Sequence, residues 1–155
     1  MAMDGGSGEP GWTPVEITEG EWAGWWQWSA DPFELHAGPF YTRKDPDGRR
    51  TSAFRAERKH MNCDGFMHGG CLMTFADYTL FTIAGETIAG VPSVTASLNS
   101  EFIDGVREGE IVEGSGEVVR AGRSMVFVRG LLSSGGRPVL TFSGIIKKVA
   151  PRQAS

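Results

Sequence analysis

Cysteine is scarce: Cys63 and Cys71 are the only two among 155 residues, eight positions apart. With no second pair and no histidine at metal-finger spacing, neither a disulfide framework nor a structural zinc site is indicated, and a reducing compartment fits best. Basic charge is not in excess, since 15 Lys and Arg against 19 Asp and Glu leave a formal net charge of −4. The chain therefore lacks the overall basic field that holds a nucleic-acid backbone or an anionic membrane, and neither is expected as a partner. No apolar run reaches the roughly 18 residues that span a bilayer. The opening MAMDGGSGEPGW has neither the basic nor the apolar region of a secretion signal, and the expected location is cytoplasmic. His, Cys and carboxylates do not cluster at ligand spacing, so no metal and no cofactor are expected. No internal repeat is present.

What remains suits one domain, because 155 residues that are 40% apolar can bury a single core and not two. Residues 1–14 hold Gly5, Gly6, Gly8 and Gly11 with Pro10 and Pro14, too little apolar surface to offset the entropy of ordering, so a disordered tail is expected. Residues 15–37 are tryptophan-rich. Trp22, Trp25 and Trp26 fall at i, i+3 and i+4, a spacing that predicts a short amphipathic helix laid over the core or over an acyl or aryl pocket. After the Asp31-Pro32 break, strands are expected at 40–43 and about 50–60, joined by the turn DPDG at 45–48.

From about His68 to Glu86 the pattern is helical. Leu72, Phe75, Ala76, Thr79, Leu80 and Ile83 form one apolar stripe, while Met73, Tyr78 and Phe81 add bulk around the rest, so the helix should be enclosed. Beyond Pro92 the chain reads as strand. Val94, Ala96, Leu98, Ser100 and Phe102 alternate with Thr95, Ser97, Asn99 and Glu101, and further strands are expected at 111–120, 125–132 and 139–149. Short turns between them imply an antiparallel meander. The expected architecture is α+β, one long buried helix against about five or six antiparallel strands.

Asp77 is the one charged residue between His68 and Gly85. Among apolar neighbours a carboxylate must be paired, protonated or exposed in a cleft, because burying it alone costs several kcal/mol. His68-Gly69-Gly70 opens the same helix. The first amides of a helix have no internal partners and carry the positive end of its dipole, so they can receive a developing oxyanion, and glycine lets a carbonyl come close.

Taken together, the pattern N-x5-H-G-G-x6-D, from Asn62 through His68, Gly69 and Gly70 to Asp77, followed by a strand-rich half, resembles the hotdog-fold acyl-CoA thioesterases of the phenylacetate-pathway (PaaI-like) type. The resemblance covers roughly residues 38–149, and a hotdog domain is expected over 38–150. It implies that Asp77 acts as general base or nucleophile, that Gly69 offers its amide to the thioester carbonyl, and that Asn62 and His68 orient the substrate or the lytic water. Thr95 matches the hydroxyl residue that assists the carboxylate in relatives, where serine is usual. Gly70 is expected beside the substrate. Arg120, Arg123, Lys147 and Lys148, near strand ends, are candidates for the phosphates of CoA. The resemblance further implies an acyl-CoA substrate and a homodimer, or a dimer of dimers, with each site shared between chains. The paired Asp and His of hotdog hydratases is missing. The alternative is a hotdog module that binds acyl-CoA as a sensor without turning it over.

Overall fold

The computed structural model describes residues 14–28 and 30–150; most of the glycine-rich tail lies outside them. The elements run β1 (Pro14–Glu16), β2 (Trp26–Trp28), α1 (Pro32–Ala37), β3 (Tyr41–Lys44), β4 (Arg50–Arg55), a 3-10 turn (Arg58–His60), α2 (Gly69–Ala84), β5 (Ser93–Phe102), β6 (Ile111–Ala121), β7 (Met125–Ser134) and β8 (Arg137–Lys148). Every strand pair is antiparallel, and the eight strands form one sheet in the order β1-β2-β3-β4-β6-β7-β8-β5. The sheet wraps α2. Six of its strands are those expected from the sequence, although the one expected over about 50–60 ends at Arg55 and gives way to the 3-10 turn. The other two, β1 and β2, come from the tryptophan-rich segment and carry the count past five or six.

That segment departs from its predicted helix for a visible reason. Gly20 and Gly24 take φ of 79° and 84°, a left-handed backbone that favours glycine and turns the chain between them. Ile17 N–H then donates to Trp25 O and Gly24 N–H to Ile17 O, both at 2.8 Å, which closes a hairpin. Trp22 stacks on Tyr41 at 4.5 Å and meets Trp25 edge-on at 5.4 Å. The i, i+3 contact expected of a helix is made across a turn instead. The helix of this region is α1, whose cap Asp31 accepts from the N–H groups of Phe33 and Glu34 at 3.0 Å, with Pro32 at the first position.

Leu72, Phe75, Ala76, Thr79 and Leu80 of α2 are buried. Phe75 meets Phe54 at 4.5 Å and Phe40 at 5.2 Å, tying α2 to β4 and to the start of β3. The helix lies close to the sheet because glycines underlie it. A Cβ on Gly114 would sit 2.5 Å from Thr79 Oγ1, one on Gly144 2.7 Å from Leu80 Cδ1, and one on Gly116 2.7 Å from Ile83 Cδ1. Thr79 is held from both sides, its hydroxyl 2.6 Å from Ser52 Oγ and 2.8 Å from Phe75 O.

β5 is the sheet's edge, and its alternation is broken. Thr95 pairs with Ile146, then the register slips so that Ser97 pairs with Ile145 and Leu98 with Gly144. A regular strand would send Val94 and Ala96 inward with Leu98. The bulge at Ala96 turns Thr95 to the α2 side and leaves Val94 48% exposed. No helix among the described residues is long and apolar enough to cross a membrane.

Candidate active site

The start of α2 is fixed by Met67 N–H on Val106 O at 2.7 Å and His68 N–H on His60 O at 2.8 Å. His68 is the N-cap, with extended backbone. Its Nδ1 accepts from Gly70 N–H at 2.9 Å, so Nε2 carries the proton in the neutral ring. The His68 carbonyl accepts from Cys71 N–H at 2.9 Å and Leu72 N–H at 3.2 Å. Of the first-turn amides only Gly69 N–H has no acceptor among the described residues. The helix therefore presents one open donor at its positive end. Gly70 cannot be a second donor while His68 caps it.

Gly69 also lies close beneath the end of β5, since a Cβ there would sit 3.3 Å from the Phe102 ring. Asn62 organises the loop before the helix: its Oδ1 accepts from Asp64 N–H at 2.9 Å and Phe66 N–H at 3.1 Å. Its amide NH2 has no acceptor among the described residues and stays available to a ligand.

Asp77 is half-buried, two turns along α2. Thr95 Oγ1 donates to its Oδ1 at 2.6 Å, and Oδ2 has no hydrogen-bond partner among the described residues. The bulge in β5 makes this pair, by aiming Thr95 at the helix. Gly69 and Asp77 of one chain do not converge: eight residues at 1.5 Å rise separate their Cα atoms by about 12 Å.

Arg120, Arg123, Lys147 and Lys148 gather at one corner, around the β6–β7 turn and the end of β8. Val119, Arg120, Arg123, Met125 and Phe127 line an open cavity of about 550 Å3 there. Lys148 Nζ reaches Gly122 O at 3.5 Å. Lys147 alternates with buried Ile146 and pairs with exposed Met125, so it points from the sheet face opposite α2 and away from Asp77 of its own chain.

One residue of this region was not singled out from the sequence. Glu34 of α1 is half-buried against α2, and burial, with the charges of Asp31 and Asp77, pushes its carboxyl up to about 7. Only its position three residues after the Asp-Pro helix start hinted that it belongs to an ordered element. Burial also pushes the Cys71 thiol up to about 11, which keeps it protonated and unreactive near neutral pH.

Residues 64–141 match the family model described as Thioesterase superfamily. The chain belongs to this family. The matched span holds His68, Gly69, Asp77 and Thr95, and Asn62 lies just ahead of it. No curated protein matches the sequence significantly. Among solved structures, the TT0310 protein from Thermus thermophilus is 26% identical with a TM-score of 0.67, covering 77% of this chain and 98% of its own. A mutant of the phenylacetic acid degradation protein PaaI from the same organism is 25% identical with a TM-score of 0.65, covering 77% of this chain and 100% of its own. A hypothetical thioesterase protein from Streptococcus pneumoniae, solved with coenzyme A, is 21% identical with a TM-score of 0.64, covering 77% and 93%. The fold of this thioesterase-superfamily chain is the hotdog fold, one long helix in an antiparallel sheet, with the sheet extended by β1 and β2.

Proposed function

We propose that the protein hydrolyses an acyl-CoA thioester to the free acid and CoA thiol. The observation that carries this reading is the single open amide at Gly69. A thioester carbonyl oxygen placed on that N–H is polarised, and the oxyanion that forms on attack is stabilised by the same donor and by the helix dipole. The attacking group comes from Asp77. Acting as base, Asp77 Oδ2 takes a proton from water as the water oxygen bonds to the carbonyl carbon. Acting as nucleophile, Oδ2 bonds to that carbon itself and water cleaves the resulting anhydride. In either course the C–S bond breaks, the electron pair leaves on sulfur, and the thiolate is protonated. Thr95 O–H holds Oδ1 and so turns Oδ2 toward the substrate.

The separation of about 12 Å along the helix supports a site in which the two groups come from different chains. A twofold dimer brings the start of one α2 to the middle of the other and makes two equal sites, each with Asn62, His68 and Gly69 from one chain and Asp77 from its mate. His68, as the cap, holds the glycine turn in place, and the Asn62 amide is placed to orient the substrate or the water. The coenzyme A held by the Streptococcus pneumoniae protein of the same fold supports CoA as the thiol. Arg120, Arg123 and Lys148 are its candidate phosphate partners, and Lys147 serves only from the outer face of the sheet.

A screen of short, long and aryl acyl-CoAs, read by released thiol, tests the proposal. Turnover of at least one series is expected, and it should persist in a chelator because neither the Gly69 amide nor Asp77 needs a metal to act. Tight acyl-CoA binding with no turnover of any series would replace the hydrolase with a sensor.

A further inference from the structure

The residue that carries the open amide has an aromatic neighbour. Gly69 does not take the left-handed backbone that favours glycine, so the reason for glycine there lies in what a side chain would meet. A Cβ on Gly70 would touch only the ring of His68, its own cap, whereas a Cβ on Gly69 would lie 3.3 Å from Cε1 and 3.4 Å from Cζ of Phe102, at the end of β5. The strand holds that ring in place. Phe102 pairs with Leu140 in the ladder, and just beyond it the N–H groups of Ile103 and Asp104 donate to Val139 O at 2.8 and 3.2 Å. Arg137 ties the loop that follows, its Nη1 on Gly105 O and on Asp104 Oδ2, both at 2.8 Å. Two residues earlier in β5, Ser100 Oγ donates to Met73 Sδ at 2.8 Å, so Ser100 and Phe102 both face α2.

Phe102 is 56% exposed and has no ring or cation partner among the described residues. Phe66, just ahead of α2, differs on both counts: it is 36% exposed, and the Arg107 guanidinium lies over its ring at 4.3 Å. An aromatic side chain fixed against a glycine and otherwise largely open presents an apolar surface to whatever reaches that glycine's amide. A carbonyl oxygen hydrogen-bonded to Gly69 N–H lies about 2.9 Å from the nitrogen, which brings the substituents of the carbonyl carbon beside the ring. Of the two substituents of a thioester, the pantetheine arm carries amides that the ring cannot satisfy, while an alkyl or aryl chain loses only water by lying on it.

We propose that Phe102 determines acyl specificity in this site, its ring forming an apolar wall on which the acyl chain lies while the carbonyl rests on Gly69 N–H. This rests on the reading of the Gly69 amide as the donor to the thioester. The wall selects apolar acyl groups of several carbons, alkyl or aryl, over acetyl, and it belongs to the chain that supplies Gly69. Phe102 moves no proton and forms no bond to the substrate. It stabilises the bound state and the transition state alike for a chain long enough to cover it, so its effect falls on KM more than on kcat.

Turnover of acetyl-CoA and hexanoyl-CoA by wild type, Phe102→Ala and Phe102→Leu tests this, with thermal melts to verify the fold. In wild type kcat/KM should favour hexanoyl-CoA. In Phe102→Ala that preference should fall about tenfold, mainly through KM, and Phe102→Leu should retain most of it. A wild type without the preference, or a Phe102→Ala protein that keeps it, would overturn the proposal; equal losses on both substrates with a weakened dimer would give the ring to the contact between chains instead. Binding of thioether analogues of the two substrates, in which a methylene separates sulfur from the carbonyl, is measured alongside by calorimetry. A protein that hydrolyses neither substrate yet binds the hexanoyl analogue more tightly, and loses that preference in Phe102→Ala, would defeat the hydrolase reading and leave the wall standing. Analogue binding that is absent, or indifferent to Phe102→Ala, would defeat the wall whatever the turnover.

Discussion

Asp77→Asn should leave the protein folded and lower thioester turnover by about a thousandfold, within the range of 10²–10⁴ typical of a lost acid–base group. The substitution keeps the side chain's shape. Its Oδ1 can still accept from Thr95 Oγ1, the bond that spans 2.6 Å in the native protein, so the contact between β5 and α2 survives. An amide is neither a base nor a nucleophile at neutral pH, and the loss should fall on kcat and on kcat/KM alike. Thiol release measures the rate, and circular dichroism with a thermal melt verifies the fold. A well-folded Asp77→Asn protein with near-native turnover would remove Asp77 from the mechanism.

Gly116→Ala should have the largest effect on stability, about 3 kcal/mol, at the upper end of overpacking costs. Its Cβ would lie 2.2 Å from Arg129 O, 2.7 Å from Gly130 Cα and 2.7 Å from Ile83 Cδ1. Two of these atoms are backbone of β7, and Gly116 pairs with Gly130 in the ladder, so the new methyl cannot be accommodated by a side-chain rotation. Either β6 parts from β7 or α2 lifts off the sheet. Total stabilities are about 5–15 kcal/mol, so the change consumes a large share of the margin. The urea midpoint should fall markedly with an unchanged slope. An unchanged midpoint would mean that α2 does not rest on this glycine floor.

The helix and most of the six main strands were legible because their side chains obey one period each, β5 breaking its alternation at Ala96. The stripe from Leu72 to Ile83 and the alternation of β6 to β8 are set by which face meets the core. Asp77 was legible as the lone charge on that helix, beside the stripe rather than in it. The tryptophan segment misled because i, i+3 spacing says only that two residues approach each other, and a turn at Gly20 and Gly24 brings Trp22 to Trp25 as well as a helix does. Thr95 was placed by resemblance, but the reason it reaches Asp77 is the bulge at Ala96, and a one-residue register slip has no signature in the strand's own alternation. Glu34 was invisible for a related reason. Its environment is made by α1 folding back on α2 over forty residues of chain, and no local pattern marks a glutamate that will be half-buried there. The corner that gathers Arg120, Arg123, Lys147 and Lys148 follows from the hairpin, but only alternation against Ile146 reveals that Lys147 points from the other face.

The proposed site is assembled from two chains, with the Gly69 amide of one and the Asp77 carboxylate of the other on a single thioester. The most direct test mixes two inactive proteins, Asp77→Asn and His68→Ala, unfolded and refolded together in equal amounts, with subunit exchange verified by mass. About half of the dimers are then mixed, and each mixed dimer has one site with both lesions and one with neither, so about a quarter of wild-type thioester turnover should return. If the residues act within one chain, every site keeps a lesion. In that case the exchanged mixture would stay inactive, and the shared site would be contradicted.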